Sequence, residues 1–119
     1  MMWILVIDDE EDLCWALAKA LSREGYEVRT ATGGAEGLAL FRSEGADLVL
    51  LDIRMPGMSG LEVLERLRET DPEVPVLVMT GYSTMEVALK ALERGATGYV
   101  TKPLNIAEIR ETVRRVLSR

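Results

Sequence analysis

A doubly wound α/β domain, a five-stranded parallel sheet with helices on both faces, is the fold class this sequence predicts. Two observations carry that expectation. A short apolar run, a loop and an amphipathic stretch follow one another five times along the chain. Three of the apolar runs are nearly continuous in Val, Ile, Leu and Met, as strands covered on both faces should be. Alternation of strand and helix then implies parallel pairing through right-handed crossovers. With 119 residues, 48% of them apolar, residues 1–119 suit one domain with one ordinary core.

The expected strands are Trp3–Ile7, Tyr26–Thr30, Leu48–Leu51, Val76–Met79 and Gly98–Thr101. The second alternates through Tyr26, Val28 and Thr30, which suits an edge. Between them, Leu13, Leu17, Ala20 and Leu21 form one helical stripe, closed by Gly25. Ser59 with Glu62, Ser83 with Glu86, and Asn105 with Glu108 have capping-box spacing at three later helix starts. Gly45 and Gly95 punctuate the ends of the second and fourth helices. The last helix carries a stripe through Ile106, Ile109, Val113, Val116 and Leu117. Helix four is broader: Met85, Val87, Ala88, Leu89, Ala91 and Leu92 cover roughly twice the usual apolar arc of about 100°.

Composition narrows the chemistry. The formal charge is −6, so direct binding to nucleic-acid backbones is not expected. The chain has no histidine, which removes the commonest general base and metal ligand. A single cysteine, Cys14, leaves no internal disulfide and reads as an inert buried thiol beside the first helical stripe. Trp15 projects away from that stripe. Met1 to Ile7 is too short an apolar run for a signal peptide or a membrane span, so a cytoplasmic location is expected.

In parallel α/β sheets ligands bind beyond the carboxyl ends of the strands. The first strand ends in Asp8-Asp9-Glu10-Glu11-Asp12, and the third in Asp52. Acids at a helix start account for Glu11 and Asp12, and one of the acids could be the cap. They do not account for Asp8, Asp9 or Asp52, each directly after or ending a buried run. If the two strands are neighbours, three carboxylates share one cleft. Two carboxylates about 4 Å apart repel by roughly 4 kcal/mol at an effective dielectric near 20. A cation is required, and an open all-oxygen site suits Mg2+. A carboxylate facing a phosphate donor there is a plausible nucleophile for an acyl phosphate. The fourth strand ends in Thr80-Gly81 and the fifth in Thr101-Lys102-Pro103, which add a hydroxyl donor and a positive charge of the kind phosphoryl transfer needs.

These residues, Asp8-Asp9, Thr80-Gly81, Lys102-Pro103 and the run Asp52-Ile53-Arg54-Met55-Pro56-Gly57-Met58-Ser59-Gly60, resemble the receiver domain of bacterial two-component response regulators over essentially the whole chain. The resemblance implies strand order 2-1-3-4-5 and Asp52 as the phosphorylation site. It implies Mg2+ held by Asp9, Asp52, the Arg54 carbonyl and, usually through water, Asp8. Thr80 and Lys102 would contact the phosphoryl group, and Tyr99 would be the aromatic that changes rotamer on activation. The bond before Pro103 is typically cis in such domains. Arg54 and Tyr82 would shield the acyl phosphate from water. The implied partners are a sensor histidine kinase, an output domain or downstream protein, and a second copy through helix four, strand five and helix five. Met79-Thr80-Gly81-Tyr82 and Lys102-Pro103-Leu104 are most similar to receivers of the nitrogen-regulator kind, which often precede a transcription-activating ATPase.

Two other classes share features. A flavodoxin-like electron carrier needs a hydroxyl-rich phosphate loop after strand one, where this chain has five acids. A haloacid-dehalogenase-type phosphatase expects two aspartates separated by one residue, whereas Asp8 and Asp9 are adjacent. A third use, as an unphosphorylated scaffold, would leave the acid cluster without a purpose.

Overall fold

The computed structural model describes residues 1–81 and 85–118. The expected Ser83–Glu86 capping box and the shielding role of Tyr82 fall on residues outside that range. Ten elements follow one another: β1 (Trp3–Ile7), α1 (Glu11–Ser22), β2 (Glu27–Ala31), α2 (Gly34–Glu44), β3 (Leu48–Asp52), α3 (Gly60–Thr70), β4 (Val76–Thr80), α4 (Met85–Glu93), β5 (Gly98–Thr101) and α5 (Ile106–Leu117). The sheet is parallel with order β2-β1-β3-β4-β5, so β2 is an edge as its alternation suggests. Differences from the expected bounds are small: β2 sits one residue later, and β3 and β4 each take in the polar residue at their end.

Period-two alternation divides the core. Leu5, Ile7, Val49, Leu51, Val76 and Val78 face a layer built from α2, α3 and α4, with Leu38, Phe41, Val63, Leu64, Leu67, Ala88 and Ala91 opposite them. Ile4, Val6, Leu48, Leu50, Leu77, Met79 and Val100 face α1 and α5, against Cys14, Leu17, Leu21, Ile109, Val113 and Val116. Fully burying a side chain of the Leu or Val class contributes roughly 1.5–3 kcal/mol, so the fold rests on these two layers.

The helix starts follow two of the expected caps. Ser59 Oγ accepts from the Glu62 N–H at 3.3 Å, and Asn105 Oδ1 accepts from the Glu108 N–H at 3.0 Å. Each satisfies one of the backbone donors that a helix start leaves unpaired. Glu10 occupies the cap position of α1 without a side-chain capping bond. At the opposite end of the sheet, Arg68 gathers orphan carbonyls: its Nε and Nη2 donate to Gly95 O at 3.0 and 2.7 Å, and Nη1 donates to Val74 O at 2.6 Å. Arg68 thus ties α3 to the chain entering β4 and to the chain leaving α4.

One close approach fixes the site's geometry. A Cβ on Gly60 would lie 2.5 Å from the Asp52 carbonyl oxygen and 2.6 Å from Ile53 Cα, both backbone atoms. The first turn of α3 therefore presses directly on the end of β3, and only glycine permits it. Gly60→Ala is expected to cost about 2–3 kcal/mol, the scale of overpacking in a close-packed interior. Urea unfolding monitored by circular dichroism checks this; an unchanged midpoint would show that the β3–α3 contact yields.

Candidate functional site

Two strands carry the acids to one place. Ile7 stands opposite Leu51 in the β1–β3 ladder, so Asp8 and Asp52 emerge side by side at the carboxyl edge. Asp8 lies two residues beyond Val6, Asp52 two beyond Leu50 and Lys102 two beyond Val100, all on the α1/α5 side of the sheet. The alternation that buries one layer thus aims these three polar side chains the same way. Asp8, at 0% exposure, and Asp52, at 4%, are buried, whereas Asp9 is exposed. One carboxylate oxygen from each of Asp8, Asp9 and Asp52 lies within 4.8 Å of the others.

Lys102 answers this charge. Its Nζ donates to Asp8 Oδ2 at 2.9 Å and to Glu10 Oε1 at 3.3 Å, and lies 3.6 Å from Asp52 Oδ1. The Lys102 N–H also donates to Thr80 O at 2.7 Å, which holds the lysine's backbone to the end of β4. Asp52 Oδ1 accepts from the Arg54 N–H at 3.2 Å, and Asp8 Oδ1 from the Glu10 N–H at 2.9 Å. The Cys14 thiol donates to Asp8 O at 3.3 Å.

Each shift in proton affinity has a visible cause. Burial pushes the Asp52 carboxyl up from 3.8 to about 6, and the charge of Asp8 adds to it; the Arg54 N–H and Lys102 offset this only in part. Burial alone would lower the Lys102 ammonium, but its hydrogen bond to Asp8 and the charges of Asp52 and Asp8 hold it above its ordinary value. Burial pushes the Cys14 thiol up to about 11, with Asp8 adding, so it is inert as a nucleophile, as expected of a core thiol.

A cleft of about 310 Å³ opens over these groups, lined by Asp9, Glu10, Asp52, Ile53, Arg54, Gly81 and Lys102. The donor set is all oxygen, two of its carboxylates are buried, and one side is open, which fits a small hard cation that keeps some of its waters. Thr80 is fully buried at the end of β4, and its Oγ1 donates to Gly81 O at 3.2 Å. The Lys102–Pro103 bond is cis. Tyr99 stands away from the acids on β5 with 42% of its surface exposed. The structure therefore brings Asp8, Asp9, Asp52 and Lys102 together, with Thr80 and Arg54 at the margin. Sequence reasoning missed Glu10 as a partner of Lys102 and Gly60 as the packing point under Asp52. For Gly60 the signal was present, a glycine opening the helix that follows the acid's strand; for Glu10 only the fold supplies it.

With this geometry in place, comparison decides the family. A profile of the response regulator receiver domain matches residues 4–114. The chain belongs to the response regulator receiver family. It is 43% identical over 114 residues to the uncharacterized transcriptional regulatory protein YkoG of Bacillus subtilis, covering 96% of this chain and 50% of that one. It is 38% identical over 115 residues to the DNA-binding transcriptional regulator NtrC of Escherichia coli, covering 97% of this chain and 24% of NtrC. Among solved structures, the receiver domain of NtrX from Brucella abortus superposes with a TM-score of 0.92 at 36% identity, over 97% of this chain and 98% of that one. The receiver thus spans half of the Bacillus relative and about a quarter of NtrC. Relatives named NtrC and NtrX fit the nitrogen-regulator kind expected from Met79-Thr80-Gly81-Tyr82 and Lys102-Pro103-Leu104. The receiver is a signalling domain, neither the phosphatase nor the electron carrier that the sequence left as alternatives. Among the described residues, no helix is long and apolar enough to cross a membrane.

Asp52 also links the site to stability. Between about pH 4 and about pH 6 the folded state holds a proton on Asp52 that the unfolded chain has lost. Stability from this group therefore falls as pH rises through that window, and the full cost is present above it. In metal-free protein at pH 7.5, Asp52→Asn is expected to raise stability by roughly 1–3 kcal/mol. The gain should shrink as pH falls from about 6 toward about 4, and urea melts across that range check it.

Proposed function

We propose that this receiver, residues 1–119, is a phosphorylation-dependent switch in which Asp52 accepts a phosphoryl group from a sensor histidine kinase. The observation that carries the reading is a buried carboxylate at a strand end, with Lys102 Nζ 3.6 Å from its oxygen and a cleft open above it. Asp8, Asp9, Asp52 and the Arg54 carbonyl would hold Mg2+. When bound, Mg2+ supplies positive charge that lets a phosphate approach the acids. Asp52 attacks phosphorus through a carboxylate oxygen, and the bond from phosphorus to the donor breaks. A phosphohistidine donor leaves as an imidazole that takes up a proton; a small acyl-phosphate donor leaves as its carboxylate. Lys102 then exchanges a carboxylate partner for a phosphoryl oxygen, and the Thr80 hydroxyl turns from the Gly81 carbonyl toward the same group. The domain catalyses only its own phosphorylation and slow dephosphorylation, and it works in the cytoplasm.

The conformational output follows from the neighbouring face. Movement of Thr80 opens space for Tyr99, which lies on the adjoining strand with Thr101 paired to Thr80. Leu89, at 52% exposure, and Leu92, at 36%, stay uncovered on α4, while only Ala88 and Ala91 are fully buried there. We infer that α4, β5 and α5 form the surface for a second copy or an output domain, strengthened when Asp52 is phosphorylated. Control of transcription is the output that the names of the relatives support.

Incubation with Mg2+ and acetyl phosphate should add one phosphoryl mass to the wild type and none to Asp52→Asn. Equal labelling of the variant would sink the assignment. Lys102→Ala should keep Mg2+ binding, measured by calorimetry, while losing the phosphorylation-dependent spectral change, because the lysine competes with a metal for Asp8 and Asp52. With beryllofluoride as the acyl-phosphate mimic, light scattering should report self-association of the wild type and less of it in Leu89→Glu. No change of mass or of spectra in either protein would place the switch surface elsewhere.

A further inference from the structure

Glu10 is the acid in this cleft whose position neither the fold nor the metal set explains. It stands at the cap position of α1, yet its side chain makes no capping bond. Instead it reaches across to Lys102, Oε1 to Nζ at 3.3 Å, while its own backbone N–H secures Asp8. With the Glu10 side chain 64% exposed, this ion pair contributes little to stability, as exposed pairs generally do. Its placement matters to the cleft, which it lines together with Asp9, Asp52, Arg54 and Lys102.

Lysine has three N–H donors. Two are engaged, by Asp8 at 2.9 Å and Glu10 at 3.3 Å, with Asp52 next nearest at 3.6 Å. With carboxylate oxygens of Asp8, Glu10 and Asp52 all within 3.6 Å of Nζ, a phosphoryl oxygen entering the cleft competes with these acids for the lysine. Glu10 is the one to give way, since its bond is the longer and its carboxylate the more readily hydrated: its side chain is 64% exposed against 0% for Asp8. Until it does, it withholds the lysine and adds a negative charge to the path of a dianionic donor.

We propose that Glu10 is a positioning residue that holds Lys102 in the resting cleft and so slows phosphorylation of Asp52. This rests on the phosphoryl-acceptor reading above. The step itself is unchanged: the Asp52 oxygen–phosphorus bond forms, and acetyl phosphate releases acetate. Glu10 sets how readily the lysine becomes available for it.

Glu10→Gln keeps an acceptor of the same reach and removes the charge; Glu10→Asp keeps the charge and loses the reach. At saturating Mg2+ and low salt, intact-mass time courses with acetyl phosphate should show Glu10→Gln labelled about three- to tenfold faster than wild type. The ratio should fall toward one as salt screens the charge. In metal-free protein, NMR of the Lys102 ammonium should shift in both variants, a readout independent of labelling. Equal initial rates in wild type and Glu10→Gln, with both fully labelled and Asp52→Asn unlabelled, would overturn the role of Glu10 and leave the acceptor reading standing. A rate ratio indifferent to salt, or an unmoved Lys102 signal, also overturns it. No labelling of any protein removes the acceptor reading and this role with it.

Discussion

The site depends on one electrostatic constraint: two carboxylates are buried side by side at a strand end and require a cation between them. At about 4 Å, such a pair repels by roughly 4 kcal/mol at an effective dielectric near 20. Lys102 meets Asp8 at 2.9 Å and Asp52 at 3.6 Å. The lysine is 94 residues from Asp8 in the chain, so the contact exists only after β1, β3, β4 and β5 have assembled in order. The acids are therefore a charge on the fold that the fold itself neutralises, and only in part, since Asp52 still titrates near 6. A site left partly uncompensated favours any further positive charge that enters it.

How much of this was legible in the sequence follows from which signals are local. The strands were readable because β1, β3 and β4 are buried on both faces, which leaves runs such as Leu48–Leu51 almost without polar residues. Asp8 and Asp52 were readable for the complementary reason, a carboxylate following a run that has no use for one. Glu10 was not readable, because an acid at a helix start already has an ordinary explanation. Only the structure shows its side chain turned away from the helix toward residue 102. Arg68 was equally hidden. Its role is to collect the carbonyls of Val74 and Gly95, and no spacing of side chains records which carbonyls a fold leaves unpaired. Cys14 was placed beside the helical stripe and lies in the core itself, bonded to the backbone of Asp8.

The helices around the sheet are not held equally. Among the described residues, α1 buries Cys14, Leu17, Ala20 and Leu21, α3 buries Gly60, Val63, Leu64 and Leu67, and α5 buries Ile109, Val113 and Val116. Helix α4 buries Ala88 and Ala91 alone. At roughly 0.8 kcal/mol per buried methylene, two alanines anchor a helix far less than two or three leucines and valines do. The breadth of its apolar surface, visible in the sequence, therefore does not mean deep burial: the small residues face inward and the leucines outward.

That contrast joins the site to its surface. At the far end α4 is fastened, with Arg68 donating to Gly95 O at 3.0 and 2.7 Å and Arg94 paired with Glu65. Along its length it rests on Ala88 and Ala91, with Met85 and Val87 half-buried against the same core. On the switch reading proposed above, a helix that buries so few side chains is the element whose two packings would differ least in free energy. Close packing under Asp52, where Gly60 meets the β3 backbone, keeps the site from absorbing such a change itself. Of the five helices α4 buries the fewest residues, so on the same switch reading a displacement begun at Thr80 or Lys102 would meet the least resistance there.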